Sequence, residues 1–252
     1  MLRLIRNTDW GAMLNLVSPR FFEVLAPHAL RSEVAELMHG FRNPHEFRAL
    51  LGDRSQALHA RGIDLVESLT RGEETQPGPY GEKLVELYFW QLYARDACLL
   101  DLRSTRLRGQ QGRLRWKPSR VFKRWEPEFI EALRELYRGF YDGDDASFRH
   151  ALSALHLTEA QSLFVEHFGG AEQRAVRFEL DAFQRVFHRV FTITQEAGHS
   201  LHPNFVSFGV YLGALYENLS RFERSFDVRA AHERALADRD AGAEVVGDEP
   251  LR

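Results

Sequence analysis

The chain has 252 residues, of which 44% are hydrophobic and 27% are charged, a composition typical of a globular protein with a substantial core. Its 33 basic and 36 acidic residues give a net charge of −3, which argues against a dedicated nucleic-acid-binding or polybasic membrane-binding protein. One cysteine, Cys98, excludes an intramolecular disulfide framework and any zinc or iron–sulfur site built from several cysteines.

No membrane span or targeting segment is predicted. The longest apolar stretch, around residues 84–100, is interrupted by Glu86, Arg95 and Asp96. The first residues lack the long apolar region of a secretory signal. We therefore expect a cytoplasmic protein, for which contact with a membrane surface stays open.

Residues 1–71 read as an N-terminal helical region. Ser18-Pro19 and Asn43-Pro44 each place a cap residue before a first-turn proline, and Glu46 completes a capping box after Asn43. The second of these helices is predicted to end at Gly62. Residues 72–81 are rich in Gly and Pro and form the clearest predicted linker.

The next segment, residues 82–102, is apolar on all sides and predicts a helix in the middle of a domain. Residues 105–124 lose the helical periodicity and are basic. Two short strands, forming one β-hairpin near residues 112–123, are the only β-structure that the sequence predicts.

Strong helical signals follow. Pro127 begins an amphipathic helix, Asp142–Asp145 reads as a turn and cap, and Thr158–Gln161 reads as a capping box. A long helix is predicted over residues 171–197, and Pro203 begins the last core helix. Residues 82–226 thus form the main helical domain, and residues 227–252 form a polar, partly disordered tail. The predicted fold class is all-α, a multi-helix orthogonal bundle.

A ridge of phenylalanines is the first candidate binding feature. Phe183, Phe187 and Phe191 recur at helical spacing, and Phe208 and Leu212 on the following helix complete an apolar set. One interpretation is a groove for a lipid or isoprenoid tail, and the other is ordinary packing between helices. Glu179 projects towards the same apolar side and needs a partner, for which an arginine salt bridge is expected.

Metal and nucleophile chemistry have less support. A ferritin-like di-iron site needs two Glu-x-x-His pairs, and the chain has one, Glu196–His199. Scattered iron ligands of a haem-oxygenase-like oxidase remain an alternative, with Glu86, Glu179 and His199 as the candidates. Otherwise no cofactor is expected. Cys98 falls in the most apolar segment, where a thiol is usually inert, and neither a nucleophile elbow nor a phosphate-binding P-loop is present.

Residues from Gly112 to the last core helix resemble the C-terminal half of the UbiB/AarF family of atypical kinases. The resemblance rests on Gly112-Arg-Leu114, on the basic link and helix start at residues 123–129, and on the helix ending Tyr-Asp-Gly143-Asp-Asp145. The order of the later helices, with a glycine break and Pro203, is also similar to the family. The resemblance implies a kinase C-lobe-like packing of helices and a link to quinone and isoprenoid-lipid metabolism.

The sequence departs from that family where the chemistry lies. The stretch matching the catalytic loop, residues 94–104, has no His and no Asn, and the position of the metal-binding Asp falls near Pro118-Ser119-Arg120. Phosphoryl transfer needs a metal-holding Asp, a base and a phosphate-contacting Lys. We therefore expect a non-catalytic, pseudokinase-like protein that binds a protein partner or an apolar ligand. The alternatives are the metal-dependent oxidase and a structural or assembly subunit.

Overall fold

The structure is a computed structural model, and it describes residues 16, 32–33, 35–37, 39–69, 76–94, 97–163 and 174–243. Helices dominate these residues, but seven short strands in three small sheets are also present among them. The predicted all-α fold class is therefore wrong, and the protein is a mixed α and β fold. Each strand has only three or four residues, which is too short for alternation to identify it reliably in the sequence.

The first half of the described chain combines two long helices with two of the sheets. In order, its elements are α1 (His39–Arg42), α2 (Pro44–Ala60), β1 (Ile63–Leu65), α3 (Pro77–Ala94), β2 (Ala97–Leu99), β3 (Leu107–Gln110), β4 (Arg113–Trp116) and β5 (Phe122–Arg124).

The second half is more helical and contains the third sheet. In order, its elements are α4 (Pro127–Asp142), α5 (Asp145–Ala154), a 3₁₀ turn (Thr158–Ala160), β6 (Ala175–Arg177), α6 (Leu180–Glu196), α7 (Phe205–Ser220), β7 (Ser225–Asp227) and α8 (Val228–Ala243).

Sheet pairing joins distant parts of the chain. The largest sheet has the order β1-β4-β3, in which β3 and β4 form an antiparallel hairpin and β1 runs parallel to β4, with Ile63 opposite Leu114. The other sheets pair β2 with β5 and β6 with β7, both antiparallel. The hairpin predicted near residues 112–123 thus contains two real strands, β4 and β5, but they pair with different partners and not with each other.

The apolar segment after residue 82 is not one helix. Helix α3 ends at Ala94, and Cys98 lies in strand β2, which is buried on both faces. Gln91, itself buried, holds this strand because its Oε1 accepts a hydrogen bond from the Leu99 amide at 2.9 Å. A short apolar run fits a buried strand as well as a buried helix, so periodicity alone did not separate the two. Residues 72–75 of the predicted linker lie outside the described part, and Pro77 already belongs to α3.

The predicted turn and cap at residues 142–145 is confirmed. Asp144 is the N-cap of α5, and its Oδ1 accepts hydrogen bonds from the amides of Ala146 and Ser147 at 3.0 and 3.1 Å. The predicted capping box at Thr158 is wrong, because the 3₁₀ turn there has no side-chain cap. Residues 164–173, in which the next helix was predicted to begin, lie outside the described part, and α6 begins at Leu180.

The C-terminal segment differs from the predicted tail. Residues 228–243 form helix α8, which packs along α3 and buries Ala231, His232 and Ala235. Residues 244–252 lie outside the described part. None of the described helices has both the length and the apolar character that a bilayer span requires.

Candidate functional site

The predicted phenylalanine ridge lies inside the core. Phe183, Phe187 and Phe191 are at most 9% exposed, and Phe208 and Leu212 are buried as well. The ring of Phe183 stacks on Tyr216 at 4.8 Å, and that of Phe191 meets Phe205 at 5.6 Å. Since described side chains of α7 already fill the ridge, its contacts favour helix packing over a lipid groove.

Glu179 takes no part in this apolar layer. It precedes the first residue of α6, its side chain is 54% exposed, and its carboxylate pairs with Arg177 at 3.1 Å. An arginine partner was expected and is present. The expected direction towards the apolar side is wrong, because residue 179 does not belong to the helix whose periodicity was used.

The three alternative metal ligands do not converge. Glu86 pairs with Arg234 at 3.1 Å, and His199 lies 3.9 Å from Glu159. Glu179 and His199 flank opposite ends of α6, whose 17 residues span about 25 Å. Within the described ranges, no three His, Cys, Asp or Glu side chains form a group that could hold a metal ion.

A basic segment that surrounds the largest sheet is the candidate functional site. Residues 103–124 include nine Arg and Lys residues and no Asp or Glu. Strands β3 and β4 alternate in burial, with Leu107, Leu114 and Trp116 facing inward. The alternate positions are only partly buried or exposed, and they carry almost all the charge.

We call the outward cations of this hairpin the basic hairpin face: Arg106, Arg108, Arg113, Arg115 and Lys117. The register sets them in rows, because Arg108 lies directly opposite Arg115, and the Lys117 amide donates to the Arg106 carbonyl at 2.9 Å. Side chains directly opposite each other in an antiparallel pair are about 5 Å apart at Cβ. Like charges directly opposite each other on a sheet face are unfavourable, so this pairing does not itself stabilise the sheet.

Carboxylates compensate part of this face. Arg113 makes a bidentate pair with Asp64 of β1 at 2.7 and 2.8 Å, and this guanidinium lowers the pKa of Asp64 to about 2. Arg106 lies 3.3 Å from the buried Asp101. No carboxylate of the described ranges lies within 4.0 Å of the charged group of Arg108 or Lys117. The basic hairpin face therefore keeps an excess of positive charge.

The inner side of the hairpin makes this face rigid. Trp116 is fully buried, and its indole Nε1 donates to the Asp101 carbonyl at 3.2 Å. Strand β4 is central in its sheet, between β1 and β3. The outward cations are thus held on a supported surface and not on a loose loop.

The same segment also supplies a buried charge cluster. Lys123 of β5 is 2% exposed and pairs with Glu33 at 2.7 Å and with Glu36. The hydroxyl of Ser207 donates to the other Glu33 oxygen at 2.7 Å. Because these groups satisfy one another, the cluster ties β5 to α7 and to residues 32–37, and it does not add to the basic hairpin face.

Two signals for the basic hairpin face were available in the sequence. One is the run of basic residues without an acidic one, and the other is alternation on both sides of Gln111-Gly112. The compensation of Arg113 by Asp64 is a contact over 49 residues that no local pattern indicates. Comparison with known protein families finds no matching family, and a search of curated proteins finds no match to the chain.

Proposed function

We propose that the chain is a non-catalytic binding protein that docks an acidic protein partner on the basic hairpin face. The observation that carries the proposal is the register of Arg108 opposite Arg115, with Lys117 beside them and an excess of positive charge. An acidic segment of a partner that lies across the hairpin reduces the repulsion and places carboxylates beside Arg108 and Lys117.

The charge of the whole chain supports a protein over a nucleic acid or a membrane. Residues 103–124 carry nine positive charges and the chain as a whole carries −3, so the other residues together carry −12. A long polyanion or an anionic bilayer extends beyond a hairpin about 13 Å long and meets that negative surface. A protein segment has the size to contact the basic hairpin face alone.

The non-catalytic part of the proposal rests on the sequence. Residues 94–104 lack the His and Asn, and residues 118–120 lack the Asp, that the UbiB/AarF resemblance would require for phosphoryl transfer. We keep that resemblance as part of the proposal, as a helical scaffold without kinase chemistry. An apolar ligand has less support, because the phenylalanine ridge is packed. The oxidase alternative has less support, because Glu86, Glu179 and His199 lie apart.

A binding titration with a short oligo-glutamate peptide tests the proposal. We expect saturable binding at low ionic strength that weakens as salt is added, since exposed charges are screened over a few ångströms in concentrated salt. The double variant Arg108→Glu/Lys117→Glu is expected to lose affinity by about tenfold or more, because charge reversal turns attraction into repulsion.

A matched control reverses the same number of charges elsewhere. Arg185 and Arg189 are exposed on α6, and Arg185→Glu/Arg189→Glu is expected to bind the peptide like the unchanged protein. Equal losses in both double variants would mean that net charge alone drives binding, which contradicts the proposal. Binding to single-stranded DNA or to phosphatidylserine vesicles, but not to the peptide, would replace the protein partner with that ligand. Binding to none of the three leaves a structural subunit as the better interpretation.

A further inference from the structure

A small pocket opens at the turn end of the hairpin. Its walls are the β3–β4 turn, residues 109–114, and the first turns of α3 with Gln76, Pro79, Tyr80 and Lys83. We call it the turn pocket; its volume is about 130 Å³. Among the described residues that line it, Lys83 and Arg113 are the charged ones, and none is a carboxylate. The polar wall groups besides these are the amides of three glutamines, the backbone of the turn and the Tyr80 hydroxyl, which donates to Asn218 at 2.9 Å.

Two cationic nitrogen atoms converge beside this pocket. A Cβ built on Gly62 would lie 3.2 Å from Lys83 Nζ and 3.8 Å from Arg113 Nη1. The two nitrogen atoms are therefore no more than about 7 Å apart. Gly62 has a φ of +73°, a conformation that glycine adopts without strain, and its missing side chain leaves room for both cations.

Neither cation is saturated by its contacts with the described residues. Lys83 Nζ has three donors and gives one to the Arg61 carbonyl at 2.8 Å, and no carboxylate in the described part of the chain pairs with it. Arg113 uses Nε and Nη2 for Asp64 and the His59 carbonyl, while Nη1 has no hydrogen bond to a described group. Asp64 thus orients the guanidinium and leaves its third nitrogen available.

The turn itself is held in a restricted conformation. Gln111 and Gly112 have φ values of +48° and +74°, the signs of a two-residue hairpin turn of the type that matches strand twist. Gln111 is a non-glycine residue in this region, which costs some stability. The rigid turn fixes the pocket wall opposite Lys83.

We propose that the turn pocket binds a phosphate-sized oxyanion between Lys83 Nζ and Arg113 Nη1. One oxygen accepts from the lysine and another from the arginine, and two cations within about 7 Å are spaced for such a bridge. The oxyanion is a phosphate group, either inorganic phosphate or a phosphate monoester. The site shares Arg113 with the basic hairpin face, but its second cation, Lys83, lies on α3 outside that face, so the two proposals can be tested separately.

Calorimetric titration with inorganic phosphate at constant ionic strength is the direct test, repeated with O-phosphoserine and with acetate. Saturable binding of phosphate is expected, and Lys83→Met is expected to lower the affinity at least tenfold. Lys83→Gln, which keeps a donor for the Arg61 carbonyl, is expected to show the same loss, and it guards against a folding defect of the methionine variant. Lys117→Met removes an exposed lysine outside the pocket and should leave phosphate affinity unchanged.

The titrations with the three anions distinguish the sources of the oxyanion, and the double variant of the hairpin distinguishes phosphate binding from peptide binding. Tighter binding of O-phosphoserine identifies a phosphate monoester, and equal or tighter binding of phosphate identifies the free anion. Binding of acetate but not phosphate overturns the proposal, as does unchanged phosphate affinity in both Lys83 variants or the absence of saturable binding. Arg108→Glu/Lys117→Glu leaves the pocket walls intact, so it should lower the affinity for the peptide while phosphate binding persists.

Discussion

Gly139→Ala is expected to destabilise the protein by about 3 kcal/mol, because α4 and α5 touch through their backbones at this residue. An added Cβ would lie 2.5 Å from the Phe148 amide nitrogen and 2.8 Å from its Cα. Neither atom belongs to a side chain that could rotate away, so the two helices must separate. The Gly139 carbonyl also accepts the amides of Gly143 and Asp144, which ties the α4–α5 corner to the same point.

Gly52→Ala is the matched control for this prediction. Gly52 lies inside α2, and a Cβ there has no heavy atom within 4 Å. We expect a gain of about 0.5–1 kcal/mol, since alanine loses less backbone entropy in a helix than glycine does. Urea denaturation of both variants measures the difference directly. A loss below about 1 kcal/mol for Gly139→Ala would show that the corner between α4 and α5 relaxes more easily than its backbone contact indicates.

Local patterns predicted the helices that have local start signals. Pro44 and Pro127 each begin a helix, and Asp144 caps α5 as expected, because a proline or a cap residue acts on the backbone next to it. Strand β2 was missed because its pairing with β5 spans more than twenty residues of chain. The parallel pairing of β1 with β4 is equally non-local. Such pairings, and not propensity, make the fold mixed instead of all-α.

Helix α8 is a second element whose place in the fold local sequence patterns did not predict. Its sequence is rich in Ala and charge, which at the surface reads as a polar tail. Ala231 and Ala235 nevertheless lie four residues apart on one face, and small side chains permit the close packing on α3 that the structure has. A narrow stripe of alanines has a weak hydrophobic signal, so the packing partner decides whether such a helix is part of the core.

Part of the candidate site was predictable from the sequence and part was not. The basic character of residues 105–124 was predictable from composition, and burial of alternate strand residues turns that composition into a one-sided charged face. The convergence of Lys83 with Arg113 was not predictable, because the two residues are on a helix and a strand that meet only in the folded chain. The phenylalanine ridge was found by its spacing, but spacing does not reveal whether Tyr216 fills the groove beside it.

His232 is expected to make the protein acid-labile below about pH 6.5. It is 1% exposed on α8, and burial, with further contributions from Arg138 and Arg229, lowers its pKa to about 4. Its Nε2 lies 2.8 Å from the Tyr93 hydroxyl, and its ring packs on Phe89 at 5.1 Å. The folded protein therefore holds this imidazole neutral in conditions where the unfolded chain protonates it.

The direction of this pH effect on stability follows from the difference in proton binding between the folded and unfolded states. The unfolded state binds a proton near pH 6.5 and the folded state only near pH 4, so the unfolded state binds more protons in between and stability falls as the pH falls. The expected contribution of His232 is a loss of about 2 kcal/mol between pH 7 and pH 5. Well above pH 6.5, where both states are deprotonated, the residue adds no pH dependence.

Urea denaturation at pH 7 and pH 5 separates this effect from the other titrating groups. His232→Gln removes the titration and keeps a polar atom near Tyr93, so its stability at pH 7 should be lower but should change with pH by about 2 kcal/mol less than that of the unchanged protein. His45→Gln, at an exposed histidine, should retain the full pH dependence. If His232→Gln and the unchanged protein lose equal stability on acidification, the buried imidazole is not the group that responds. The folded protein would then protonate His232 as readily as the unfolded chain does, so the α3–α8 packing would not keep this imidazole neutral.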